Sequence, residues 1–416
     1  MWAVPCIFCW TKFNKIRPGR SWMQMRGVMW LQSSHESQLN TDYCYTIVLE
    51  PIRSVGDREA FALAILDDTD QARVGVDPQH TPSPAEVAHD TPSFTQSDGS
   101  SSSHPEFSFQ EDLDVEFPFA ELDQFSHHAP LHYEPNGPKT YAYATFMATR
   151  NPSLKDPYFL AIQSVVHRVL WSPRTRTRKN YPFIVFVADF VTAEQRAVLR
   201  GTGAIVRELA PLEWHCDKPG VQKRWVDLFA KLNMWAETEF SRIIFLDADA
   251  FPLTNIDDMF ELTQPQMCIE QKLVLTDLLP GLDQVCEPYI FAGVPQDPFS
   301  TTEPNINVGA MVITPSTTMH RRLLQNFNKA EHYDCAMAEQ AFLNWQFGVD
   351  GAFPLTRLDR TWGGFFPQPN EQGKLRVVHE KIWVEGGWLG EEWERGWKEM
   401  VDWYSSAEFA EERNRM

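Results

Sequence analysis

Basic residues are scarce in this chain. Its 416 residues hold 37 Lys and Arg against 56 Asp and Glu, for a net charge of −19 and a pI near 5.1. A protein that tracks a phosphate backbone needs basic surface, so nucleic acid is excluded as the main partner. A small phosphate-bearing ligand is not excluded, because one Lys or Arg in a pocket suffices for it. Cysteine is sparse as well: there are seven, an odd number, and they are scattered. Nothing suggests a disulfide framework, and Cys6-x-x-Cys9 has no second pair at zinc-finger spacing. The expectation is free thiols in a reducing compartment. Long apolar runs are missing too. The opening "MWAVPCIFCW" is too short to span a bilayer. Lys12, Lys15, Arg17 and Arg20 follow it, whereas a secretory signal carries its charge in front. No later run reaches the roughly eighteen uncharged apolar residues a spanning helix needs. The reading is a chain without a transmembrane span, in the cytoplasm; the alternative is Golgi association through a weak N-terminal anchor.

What is present falls into unlike parts. Residues 1–75 lack sustained periodicity, although "YCYTIVLEPI" (43–52) reads as a strand and "DREAFALAIL" (57–66) as a short helix. Residues 76–137 read as a disordered linker, rich in Pro and Ser and ending in an acidic, Phe-bearing stretch. That stretch, "FSFQEDLDVEFPFAELDQF", reads as solvated, with docking as the alternative. Residues 138–405 form the folded domain, and 406–416 a tail. The domain opens with strands at 140–149, 181–189, 204–209 and 242–247, each a continuous apolar run. Helical patterns fill the gaps at 156–171, 192–200 and 223–240, and Thr192 caps the second. This alternation predicts an α/β fold, a mostly parallel sheet covered on both faces. Ligands of such sheets bind beyond the carboxyl ends of the strands.

The last of these strands ends in a puzzle. In "SRIIFLDADAFPLTNIDDMFEL" (241–262), four apolar residues run directly into Asp247-Ala-Asp249. Acids at spacing two on extended backbone point to the same side. Adjacent carboxylates repel unless water or a cation meets them. A strand-end turn is the bland account and a divalent metal site the chemical one. Oxygen ligands suit Mg²⁺ and Mn²⁺, and an added imidazole favours Mn²⁺.

Four blocks, in order, then resemble glycosyltransferase family 8, the family of glycogenin. They are "AKLNMWAETEFSRIIFLDADAFPLTNIDDMFEL", "NINVGAMVITPS" (305–316), "EQAFLNWQF" (339–347) and "VVHEKIW" (377–383). The resemblance covers roughly residues 138–385 and implies a GT-A fold, a Rossmann-like nucleotide-binding sandwich. It implies transfer of a hexose or N-acetylhexosamine from a UDP-sugar, with retention, to a glycan or protein acceptor. On that resemblance Asp247, Asp249 and His379 hold Mn²⁺ or Mg²⁺ against the donor diphosphate. Lys231 contacts the donor, Thr145 and Phe146 hold the uracil, and Tyr158 stacks on it. Asn307 and Gly309 lie near the sugar, and Glu339 and Gln340 near the reacting centre.

The chain also departs from the family. Glu339 stands where the family has Asp. After His379 the sequence runs "HEKIWVEGGW", so Lys381 arrives early and no Lys-Pro follows; Lys381 is the candidate for the diphosphate contact. No tyrosine lies between Gln340 and His379, which argues for a separate acceptor rather than self-glucosylation. Two other readings compete. A sugar nucleotidyltransferase needs a Gly-rich basic loop after the first strand, and "FMATRNPSLKD" has no glycine. A catalytically silent nucleotide-sugar-binding relative is the other. The Trp-rich stretch 383–404 reads as a packing helix, with an acceptor-sugar platform as the alternative.

Overall fold

Undivided apolar runs are buried best inside a sheet, and three of the four expected strands lie there, with the one near 204–209 on the sheet edge. The computed structural model describes residues 110–416 except 217, 219–222 and 283, with the backbone of three N-terminal strands. Strand β4 (Thr140–Met147), β5 (Phe183–Val187), β6 (Ile205–Glu208) and β7 (Phe240–Leu246) pair in parallel. The expected parallel sheet is therefore present. Ile243 to Leu246 are wholly buried, each contributing about 1.5–3 kcal/mol by leaving water.

The seven-stranded sheet runs β11-β9-β10-β7-β4-β5-β6. Here β9 is Phe291–Pro295, β10 is Ile306–Ile313 and β11 is Thr356–Arg357. Strand β10 runs antiparallel to both β7 and β9. From β4 the chain builds outward through β5 and β6, then returns to place β7 on the other side of β4. The carboxyl ends of β4 and β7 therefore flank a switch point, the usual crevice for a ligand. A second sheet of three short strands has the order β12-β13-β8, from Gly364–Phe365, Val377–His379 and Ala250–Pro252.

Helices cover both faces. Helix α2 (Pro157–Leu170) starts at Asp156, whose side chain accepts from the Phe159 N–H at 2.8 Å. Helix α3 (Ala193–Gly201) starts with a Thr192–Gln195 capping box. The amphipathic stretch between β6 and β7 is a 3₁₀ helix, Lys223–Ala236. Helices α4 (Thr317–Asn326) and α5 (Ala338–Gln346) follow β10. The Trp-rich stretch is α6 (Gly387–Tyr404). It is locked to α2 by Arg168, which meets Glu392 at 2.5 Å with both side chains buried.

Several expectations need correction. Residues 110–137 are not a solvated linker, because Phe117, Leu122 and Phe125 are buried in the domain core. Phe117 sits 5.5 Å from the Trp397 ring, and helix α1 (Phe119–Asp123) lies so close to α3 that a Cβ on Gly201 would meet the Leu122 carbonyl. The boundary at 138 therefore moves to at least residue 110. Residues 406–416 are no free tail either. Helix α7 (Ala407–Asn414) buries Phe409 and Arg413, and Arg413 donates to the Ala129 carbonyl at 2.9 Å. The cysteines are not all free thiols: Cys216 pairs with Cys335, and Cys268 with Cys286. The argument for a reducing compartment loses its basis. Cys6-x-x-Cys9 and the expected disorder of 76–109 lie outside the described residues.

Residues 1–97 form a separate unit. Its β2 (Tyr45–Pro51) meets the expectation. The segment expected as a helix is instead β3 (Phe61–Ile65), paired antiparallel with β2, which also pairs with β1 (Gly27–Met29). Alternating pairing with a neighbouring strand overrode a short helical pattern there. Among the described residues no helix is long and apolar enough to cross a membrane.

Candidate active site

A cavity of about 820 Å³ opens at the carboxyl ends of β4 and β7. The loop after β4 supplies Ala148 to Asn151, and the turn after β7 supplies Asp247 to Asp249. Asp247 stays in place because its N–H donates to the Gly309 carbonyl of β10 at 2.8 Å. The turn then enters β8, where Ala250 faces His379 of β13 across an antiparallel pair. The pairing brings the His379 Nε2 to 3.2 Å from Asp249 and 4.0 Å from Asp247. One donor atom from each of the three residues fits within 4.8 Å of the others. The His379 Nδ1 is buried and has no hydrogen-bond partner among the described residues. Two carboxylates and an imidazole at this spacing fit a divalent cation of the Mn²⁺ or Mg²⁺ class.

Gly309 is what lets the imidazole sit there. A Cβ at that position would lie 2.0 Å from the His379 Cε1. The neighbouring Asn307 accepts from the Gly309 N–H at 2.9 Å, and Gln340 accepts from the Val308 N–H at 3.2 Å. These three residues brace the wall behind the cavity rather than lining it. Thr145 is also off the lining: it is fully buried, and its hydroxyl has no partner among the described residues. Phe146, Tyr158, Lys231 and Glu339 do line the cavity, along with Lys381 and the three candidate metal ligands.

Charge is closely balanced here. Lys231 donates to Asp247 at 2.8 Å and to Glu339 at 2.9 Å, and its side chain is only 3% exposed. Burial alone would lower its pKa, but Asp247 and Glu339 outweigh burial and raise it. Burial raises the Glu339 pKa, opposed by Lys231 and reinforced by Asp247. Asp249 is buried, which would raise its pKa, yet His379 and Lys381 hold it well below the ordinary range. Lys381 reaches Asp249 at 3.0 Å. Each acid of the pair thus carries its own ammonium partner, which answers why a buried strand can end in two acids.

Some lining residues were not singled out from the sequence. Asp156, the α2 cap, faces the cavity, and burial pushes its carboxyl up to about 6. The Asp-Pro helix start was its only signal. Arg150 clasps Asp227 through two hydrogen bonds of 3.0 and 2.8 Å, joining the loop after β4 to the helix of Lys231. Gln110, from the segment expected to be disordered, also reaches the lining.

No protein-family model matches the chain. Its relatives include an uncharacterized protein of Schizosaccharomyces pombe, 26% identical over 60% of this chain and 75% of that one. Galactinol synthase 4 of Arabidopsis thaliana is 29% identical over 58% of this chain and 72% of that one. Among solved structures, the apo form of mouse xyloside xylosyltransferase 1 covers 60% of this chain at 14% identity, with a TM-score of 0.39. The topology, the site and these sequence relatives together define a glycosyltransferase of the GT-A fold. Within that class the sequence relatives support the resemblance to the glycogenin-like glycosyltransferases of family 8.

Proposed function

We propose that the chain is a metal-dependent, retaining glycosyltransferase that takes a hexose or N-acetylhexosamine from a UDP-sugar and passes it to a separate acceptor. The supporting observation is the cluster of Asp247, Asp249 and His379 beside Lys231 and Lys381 at the switch point of the sheet. A divalent ion bound there would act as a Lewis acid for the charge that develops on the leaving diphosphate. Asp247, Asp249 and His379 would hold it, and Phe146 and Tyr158 would hold the base. Lys231 adds fixed positive charge in a site where little reorganises. Glu339, locked by Lys231, is the carboxylate nearest the reacting centre in this reading. Gln340, turned to the β10 backbone, holds that strand in position. The galactinol synthases among the relatives make galactose the first donor sugar to try. A cytoplasmic location belongs to the same proposal, and the two cysteine pairs weigh against it.

The test is UDP release by purified protein from a panel of UDP-sugars, with Mn²⁺ and with chelator, alongside Asp249→Asn. Slow hydrolysis of one donor, dependent on metal and absent in the variant, is the expected result. UDP binding without cleavage of any sugar, with or without candidate acceptors, would replace this reading with a nucleotide-sugar-binding protein.

A further inference from the structure

The two lysines of the site are held differently. Lys231 lies on a helix, is almost wholly buried and is gripped by two carboxylates, Asp247 and Glu339. Lys381 follows β13, and its side chain is 29% exposed. It touches the second oxygen of Asp249 at 3.0 Å, while His379 touches the first at 3.2 Å. Both oxygens of one candidate metal ligand are therefore occupied by positive or proton-donating groups. A divalent cation entering between Asp249 and His379 must compete with that ammonium for the same carboxylate, because like charges so close repel strongly. A flexible lysine stem lets that ammonium leave while its base stays packed.

We infer that the Lys381–Asp249 ion pair couples the two ligands of the site. Without metal, Lys381 neutralises Asp249. When a divalent cation takes Asp249, Lys381 is displaced into the cavity, where its ammonium meets the donor diphosphate. Charge balance supports this sequence. Asp247, Asp249 and Glu339 bring three negative charges, and the two lysines bring two positive ones. A divalent ion adds two positive charges among these groups. The diphosphate is therefore attracted more strongly to the metal-loaded site. The inference rests on the metal-site reading above and adds to it a residue that acts in opposite directions on the two ligands.

The test is calorimetric titration of the full chain with Mn²⁺ alone, then with UDP at saturating Mn²⁺, for the parent, Lys381→Met, Lys381→Arg and Asp249→Asn. Lys381→Met is expected to bind Mn²⁺ about tenfold more tightly, having lost the competing cation, and UDP about tenfold more weakly. Lys381→Arg keeps the charge and should stay near the parent in both. A lysine that merely supports the fold would weaken both affinities in the methionine variant or leave both unchanged, and either result overturns the coupling. If the parent binds no Mn²⁺, or Asp249→Asn binds it equally well, the metal-site reading fails first and the coupling with it.

Discussion

Replacing Lys231 with Met separates the electrostatics of this site from its packing. Methionine matches the stem of lysine, so the apolar contacts survive and the ammonium alone is lost. Glu339 then remains buried with its side chain 5% exposed and, among the described residues, without its close cation. Asp247 is 28% exposed, so water can replace the lysine there. Glu339 has no such recourse and must take up a proton. Neutralising a carboxyl of ordinary pKa 4.5 at pH 7 costs about 3.4 kcal/mol, from 2.5 units at about 1.36 kcal/mol each. That matches the low end of about 3–5 kcal/mol for breaking a buried pair. For a domain of this size the melting temperature should fall by about 5 °C. The sign with pH follows from the raised pKa of Glu339. As pH falls towards 5, protonation becomes nearly free, and the penalty should shrink to below about 1 kcal/mol. Scanning calorimetry at pH 5 and 7 on Lys231→Met, Glu339→Gln and the double variant measures all of this. In the double variant no carboxylate is stranded, so it should melt within about 2 °C of Glu339→Gln alone. A Lys231→Met penalty under about 1 kcal/mol at pH 7, or equal penalties at the two pH values, would refute the reasoning.

Two further outcomes follow from the same geometry. Gly309→Ala drives a methyl into the His379 ring. Mn²⁺ affinity should drop at least about tenfold while stability falls by about 1–3 kcal/mol, the usual cost of overpacking; unchanged Mn²⁺ titration would show that the ring is not a ligand. His167 is buried against Tyr404, and burial, with Arg168 and Arg174 nearby, pushes its pKa down to about 3 from 6.5. A depressed histidine contributes stability that is complete above pH 6.5 and lost as pH falls towards 3. Unfolding free energies from urea titrations at pH 4.5 and 7.5 should therefore differ less in His167→Gln, by about 2–3 kcal/mol, than in the parent; equal differences would place the acid sensitivity elsewhere.

The legible part of this protein is the part whose physics is local. Strands β4, β5 and β7 announce themselves because a strand buried on both faces must be continuously apolar, and each intervening helix carries its own period. Asp247 and Asp249 stand out because a strand cannot end in two acids without something to meet them. The rest depends on pairings that leave no pattern. β8 and β13 are three residues each, too short for a period. Yet their register alone decides that His379, rather than a neighbour, meets Asp249. The segment "EDLDVEFPF" failed differently. Its acids lower mean hydropathy enough to suggest disorder, but every second residue is apolar, and Leu113, Val115 and Phe117 all pack on the core. The composition argument averaged away an alternation that was legible residue by residue. The same distinction bears on the departure after His379. By spacing from His379, Lys381 arrives earlier than the family's lysine and reads only as a candidate for the diphosphate contact. In space it lies 3.0 Å from a candidate metal ligand, and a lysine there acts on whatever binds between the two acids, wherever it falls in a motif.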